Sequence, residues 1–108
     1  MATTINWTPR AENDLKNIYD YIARDSDFYA TRFINSLIDS VTTQLSIFPL
    51  SGRRIPELEH TKLNFLREVI YKTYRVVYNP TKLPLEVEII AIQSARMDLD
   101  KQSKTWNI

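Results

Sequence analysis

Two apolar stripes at helical spacing, set a few residues apart near the N-terminus, constrain this chain more than any other feature. Ala11, Leu15, Ile18, Tyr19 and Ile22 recur on one side of a helix that runs to about Arg24. Thr8 and Pro9 mark its start, with Thr8 as N-cap and Pro9 at the first helical position, where a missing N–H costs nothing. The segment "RDSD" breaks the pattern, and Asp25 or Ser26 caps a second helix. Its stripe is Ala30, Phe33, Ile34, Leu37, Ile38, Val41 and Leu45, and Pro49 and Gly52 end it. So short a connection predicts an antiparallel helical hairpin, with a broad apolar face that another layer must cover.

That layer comes from the strands. Thr4 to Trp7 reads as a short first strand, and Phe65–Lys72, Tyr74–Asn79 and Glu86–Gln93 as three more. The first two of these meet at a tight turn near Lys72-Thr73 that lacks Asn and Gly. "PTKLP" makes the next turn, and a last helix is expected from about Asp98 to Lys104. Ser51 to Asn64 shows no period and reads as an irregular loop holding the chain's only glycine, Gly52. Alternation puts Val69, Tyr71, Tyr74, Val76 and Tyr78 on one face, which should receive the hairpin. Glu68, Ile70, Arg75 and Val77 share the other, mixed face, which should be partly open. Arg75 then points into a concavity near Glu68, whereas Arg67 sits at the edge of the apolar face with its head in water. The expected fold is α+β, one domain over residues 1–108: an N-terminal strand, a helical hairpin on a small antiparallel sheet, and a short C-terminal helix.

Composition narrows the chemistry. There is no cysteine and one histidine, His60, so disulfides, thiolate sites and multi-histidine metal sites are excluded; no metal and no cofactor are expected. No apolar run approaches the roughly 20 residues of a membrane span. "MATTINW" lacks the regions of a signal peptide, so a cytoplasmic location and no membrane partner are expected. Net charge is only +1 but unevenly spread. From Ser51 to Pro84, Arg53, Arg54, Lys62, Arg67, Lys72, Arg75 and Lys82 stand against Glu57, Glu59 and Glu68. Such a patch suits an anionic partner, nucleic acid or acidic peptide, or is ordinary solvated surface.

The arginines keep two readings each. Arg75 can pair with Glu68 or Glu88 across strands for about 0.2–1 kcal/mol, or it can offer a permanently charged fork to a carboxylate or phosphate. Arg96, after the last strand, can converge on the same concavity or pair with Asp98 or Asp100. Trp106, in the tail "MDLDKQSKTWNI", is either part of a frayed end or an exposed aromatic anchor for a partner. Tyr19, Tyr21 and Ile22, with Phe28 and Tyr29, form either core or an exposed patch for a partner's helix.

Four stretches in this order, "Pro49-Leu50-Ser51-Gly52-Arg53", "Leu66-Arg67-Glu68", "Tyr74-Arg75-Val76-Val77-Tyr78" and "Ile89-Ile90-Ala91-Ile92-Gln93-Ser94-Ala95-Arg96", resemble the ParE/RelE superfamily of toxins of type II toxin–antitoxin systems, over roughly Ile5 to Leu99. The resemblance implies a sheet curved around the hairpin and a cognate antitoxin that holds the toxin inactive. RelE-like members are ribosome-dependent mRNA endonucleases. ParE-like members inhibit DNA gyrase. Under the nuclease alternative the resemblance assigns Arg75 and Arg96 to the phosphate and Glu57 to the base. The departures point the other way. Gln93 stands near where many relatives carry histidine, and glutamine exchanges no proton near neutral pH. No tyrosine follows Arg96, and the cations that grip RNA are thin. The expected function is therefore that of the ParE branch: a growth-inhibiting toxin that binds gyrase, with no catalytic residue. The resemblance then implies antitoxin contacts at Arg53, Arg75, Tyr19, Tyr21 and Ile22, target contacts at Arg96 and Trp106, a toxin–antitoxin hetero-oligomer, and no DNA binding by the toxin alone.

Overall fold

The computed structural model describes residues 3–96 and 99–106. β1 (Thr4–Trp7) leads into α1 (Pro9–Ala23) and α2 (Asp27–Ile47). Both helix starts are fixed by hydroxyls. Thr8 accepts from the Ala11 N–H, and Ser26 from the Tyr29 N–H at 3.1 Å. Thr8 also donates its hydroxyl to the Ile89 carbonyl at 2.7 Å, tying the first turn of α1 to the sheet. The strands β2 (Arg53–Arg54), β3 (Arg67–Tyr71), β4 (Tyr74–Asn79) and β5 (Glu86–Ser94) follow, with a 3₁₀ turn at Pro56–Leu58 and α3 (Leu99–Ser103) at the end. The expected start of this last helix at Asp98 lies outside the described residues.

The five strands lie in the order β1-β5-β4-β3-β2. Four of them are antiparallel neighbours, but β1 joins β5 in parallel, so the sheet is mixed. The intervening hairpin and strands supply the long crossover that a parallel pair needs. β3 and β4 are joined through Lys72 and Thr73, and Lys72 adopts φ 55, the left-handed conformation such a turn imposes.

Strand alternation places the cores. Val69, Val76 and Tyr78, with Tyr71 and Tyr74 packed alongside, meet Leu15, Ile18, Leu37, Val41 and Leu45 of the hairpin. Phe33 makes edge-on ring contacts with Tyr71 and Tyr74. The opposite face is more covered than expected, although Ile70 on it stays 49% exposed. Val77, Ile90 and Ala91 on that face are covered by Ile55, Leu58 and Leu66 from the irregular loop and by Leu99 and Trp106 from the C-terminal segment. The loop folds back because it carries apolar residues at intervals too irregular to read as a period, and burying each is worth about 1.5–3 kcal/mol.

Candidate functional site

Arg75 lies on β4 opposite Ile70 and Gln93, on the face away from the hairpin. Its guanidinium donates to both oxygens of Glu57 and both oxygens of Glu68, with Nε–Oε1 of Glu68 at 2.6 Å and Nη2–Oε1 of Glu57 at 2.8 Å. Arg53 on β2 donates its Nε to the second oxygen of Glu68 at 2.7 Å. The result is a neutral chain of two arginines and two glutamates that bridges the loop, β2, β3 and β4. Its centre is dry: the Arg75 side chain is 7% exposed and that of Glu68 0%. The hydrogen bond from Arg75 is the main reason the Glu57 carboxyl is held at about 2, against the opposing effect of burial. The bond to Glu57 is likewise the main reason the Arg75 pKa lies above its ordinary value.

The expectation that Arg75 opens into a concavity is thereby corrected. At 6% exposure, with its fork spent on two carboxylates, it is a structural cation, and its partner is Glu68 together with Glu57. Glu88 instead pairs with Lys82 at 3.5 Å. Arg53 is the accessible member, with 60% of its side chain exposed.

A second knot lies beside this chain. The Gly52 N–H donates to the hydroxyl of Tyr78 at 3.0 Å, and Arg67 donates to the carbonyls of Leu50 and Gly52. A Cβ on Gly52 would stand 2.6 Å from the Tyr78 ring and 2.7 Å from the Glu68 carbonyl oxygen, so only glycine permits this approach. Burial raises the Tyr78 hydroxyl pKa. Arg67, expected to hold its head in water, instead closes the loop by capping two carbonyls. Three of the four sequence stretches that carry the resemblance are joined here: Gly52-Arg53, Arg67-Glu68 and Arg75 with Tyr78.

The fourth stretch borders a different feature, an open cleft of about 680 Å³ between α1, the end of β5 and α3. Arg10, Asp14, Asn17 and Tyr21 line it from α1, Tyr74 from β4, and Gln93, Ser94 and Arg96 from the last strand and its exit. Asp14 is 8% exposed and accepts from Arg10 Nε at 3.1 Å, from the Ile92 N–H at 2.9 Å and from the Gln93 amide at 3.4 Å. Gln93 is itself buried, and Arg96 is exposed at the mouth. Burial, and then Tyr21, raise the Tyr74 hydroxyl pKa. Sequence reading missed Arg10 and Asp14. The available signal was a carboxylate at position 14 within the apolar stripe Ala11, Leu15, Ile18, four residues after an arginine.

The remaining predicted residues divide. Tyr21 is 63% exposed, with Arg24 over its ring, and Phe28 and Tyr29 are exposed nearby at the start of α2. Tyr19 is half-buried, and Ile22 packs partly against the first core. Trp106 corrects the expectation of an exposed anchor: it is 8% exposed inside the second core, because the α3 turn brings the tail back over the sheet. Its indole N–H is buried without a hydrogen-bond partner. Among the described residues, no group of three or more His, Cys, Asp or Glu side chains is placed to hold a metal, and no helix is long and apolar enough to cross a membrane.

Comparisons with known proteins agree with this architecture. The family described as ParE toxin of type II toxin–antitoxin system, parDE, matches residues 5–99. A chain of the chromosomal ParDE toxin–antitoxin system from P. aeruginosa superposes with a TM-score of 0.67 at 19% identity, covering 86% of this chain and 96% of that one. A chain of the RelBE2 toxin–antitoxin complex from Mycobacterium tuberculosis gives 0.64 at 19% identity, covering 87% and 99%. A mutant of the E. coli toxin RelE in the free state gives 0.55 at 16% identity, covering 89% and 86%. No curated protein sequence matches.

Proposed function

The chain belongs to the ParE toxin family of type II toxin–antitoxin systems, and from that premise we propose that it arrests growth by binding DNA gyrase, without cutting RNA, until a cognate antitoxin covers it. The observation that carries this reading is the state of Glu57. A carboxylate held at about 2 by Arg75 is a weak acceptor for the proton of a ribose hydroxyl, and Arg75 has its fork turned inward. Two of the three residues that the nuclease alternative requires are thus engaged with each other in folding, and the third stands apart from them. Arg75 and Glu57 meet as an ion pair, whereas Arg96 stands at the mouth of the cleft beside Gln93, which transfers no proton.

The accessible features fit a binding protein. Arg96 offers an exposed guanidinium for the target, and Tyr21 and Arg53 offer contacts for the antitoxin. Neither role requires a cofactor, and the toxin–antitoxin complex is a hetero-oligomer that works in the cytoplasm. Primer-extension mapping of transcripts from cells expressing the chain tests the chemistry. Uncut mRNA at translated codons is expected, and codon-specific cleavage that disappears in Glu57→Gln would overturn the reading.

A further inference from the structure

We infer that this chain pairs with a second copy of itself through the apolar end formed by Ile47, Phe48, Leu50 and Leu85, a contact independent of the toxin reading above.

Exposure is the first observation. Among the described residues these four large apolar side chains are between 54% and 79% open to solvent. They come from two distant segments that the start of the chain ties together. The Thr3 N–H donates to the Ser46 carbonyl at 3.1 Å, and the Thr4 N–H to the Leu85 carbonyl at 3.2 Å. The close of α2 and the start of β5 therefore share one end of the molecule. Pro49 and Ser51 join Ile47, Phe48 and Leu50 around an open hollow of about 450 Å³ there.

Area is the second. Exposures of this size leave on the order of 500 Å² of apolar surface in water, at the upper end of what a monomer keeps open. Two copies then bury about 1,000 Å² through these side chains alone, the level from which a specific interface holds.

Charge is the third, and it selects the partner. Val41 to Gly52 is the longest stretch of the chain without a charged side chain, and Leu83 to Leu85 adds none. The charges at the border are Glu86 and the pair Lys82–Glu88, 3.5 Å apart. A two-fold contact sets a patch against itself. Here it brings apolar groups together with no like charges at the centre, under a polar rim. The exposed aromatic group at the hairpin tip differs. Arg24 and Arg32 lie over the rings of Tyr21 and Phe28, and Asp25 and Asp27 stand between them in sequence. Self-contact there would set like charges face to face.

The dimer leaves the rest of the surface free. The nine residues of β5 carry the chain about 25–30 Å from this end to Ser94 at the Arg96 cleft. Both copies keep that cleft and Tyr21 accessible, so the pair is bivalent for any partner that binds there.

Sedimentation velocity on the full chain without antitoxin tests the contact. The wild type should form a reversible dimer with a dissociation constant of about 10 μM or tighter. Phe48→Glu and Leu85→Glu each add a carboxylate to a patch that meets itself, and each should weaken pairing by about tenfold or more, whereas Tyr21→Glu at the other end should stay within about twofold. Thermal melting confirms folding, and if one carboxylate variant fails to fold, the other decides. A wild-type chain that stays monomeric at about 100 μM would overturn the inference. So would a dimer that the folded carboxylate variants leave intact, or one that Tyr21→Glu dissolves. A monomeric toxin whose amides at residues 46–51 slow in hydrogen exchange only when antitoxin is added would give this end to the antitoxin and overturn the inference too. None of these outcomes touches the toxin reading, which the transcript mapping decides separately.

Discussion

Arg75 and Arg53 touch the same carboxylate and differ in what surrounds them. Removing Arg75 leaves Glu68, whose side chain is 0% exposed, with only one cation, and should cost about 3–5 kcal/mol. Arg53 is 60% exposed, so Arg53→Ala should cost about 1 kcal/mol and vary with salt. Urea denaturation of both variants at two ionic strengths checks this ordering. Glu57 adds a pH signature. Its carboxyl falls from 4.5 in the unfolded chain to about 2 in the fold, so ionised Glu57 is the form the fold prefers. That contribution is fully present above about 4.5 and is lost as the pH drops toward 2. Acid titration of stability should therefore be shallower between these limits in Glu57→Gln than in the wild type. An unchanged slope would show that the Arg75–Glu57 bond contributes nothing to folding.

At the scale of elements, the β3–β4 turn and the C-terminal segment make opposite demands. Lys72 sits at φ 55 without being glycine, and its ammonium lies 6.0 Å from the centre of the Tyr71 ring. Lys72→Gly relieves the backbone at the expense of a weak cation–π contact, and it should raise stability by about 0.5 kcal/mol, read from the denaturation midpoint. Trp106 is held in the second core, so Trp106→Ala should cost about 3 kcal/mol. Trp106→Phe should cost much less, because it also removes the indole N–H that lacks a partner. Calorimetry on the two variants separates packing from the orphaned donor. These elements also show where sequence reading reaches. The helix cap at Thr8, the two helical stripes and the parity of Val69, Tyr71, Tyr74, Val76 and Tyr78 follow from local chemistry and periodicity and were legible, whereas the second cap was narrowed only to Asp25 or Ser26, of which the fold uses Ser26. The cover over the second face was not, because Ile55, Leu58, Leu66, Leu99 and Trp106 come from segments without a period. For the same reason the reading of Arg75 offered Glu68 as a partner, which the fold uses, but missed Glu57, which lies in an irregular loop whose path only the tertiary fold determines.

Across the whole molecule, one face of the sheet is packed by the helical hairpin and the other is largely covered around an ion-pair chain with a dry centre, while the cleft at Arg96 and the aromatic tip at Tyr21 stay accessible. Buried charge in such an arrangement holds the loop and strands in register, and the exposed groups are left for partners. Three of the four stretches that carry the resemblance serve as joints of the fold. The direct test is DNA supercoiling by purified gyrase with increasing amounts of the toxin, alone and mixed with its antitoxin, alongside ribosome-bound mRNA exposed to the same toxin. The account predicts a dose-dependent loss of supercoiling that the antitoxin reverses, with the mRNA intact. Full supercoiling at saturating toxin together with cleaved mRNA would contradict it.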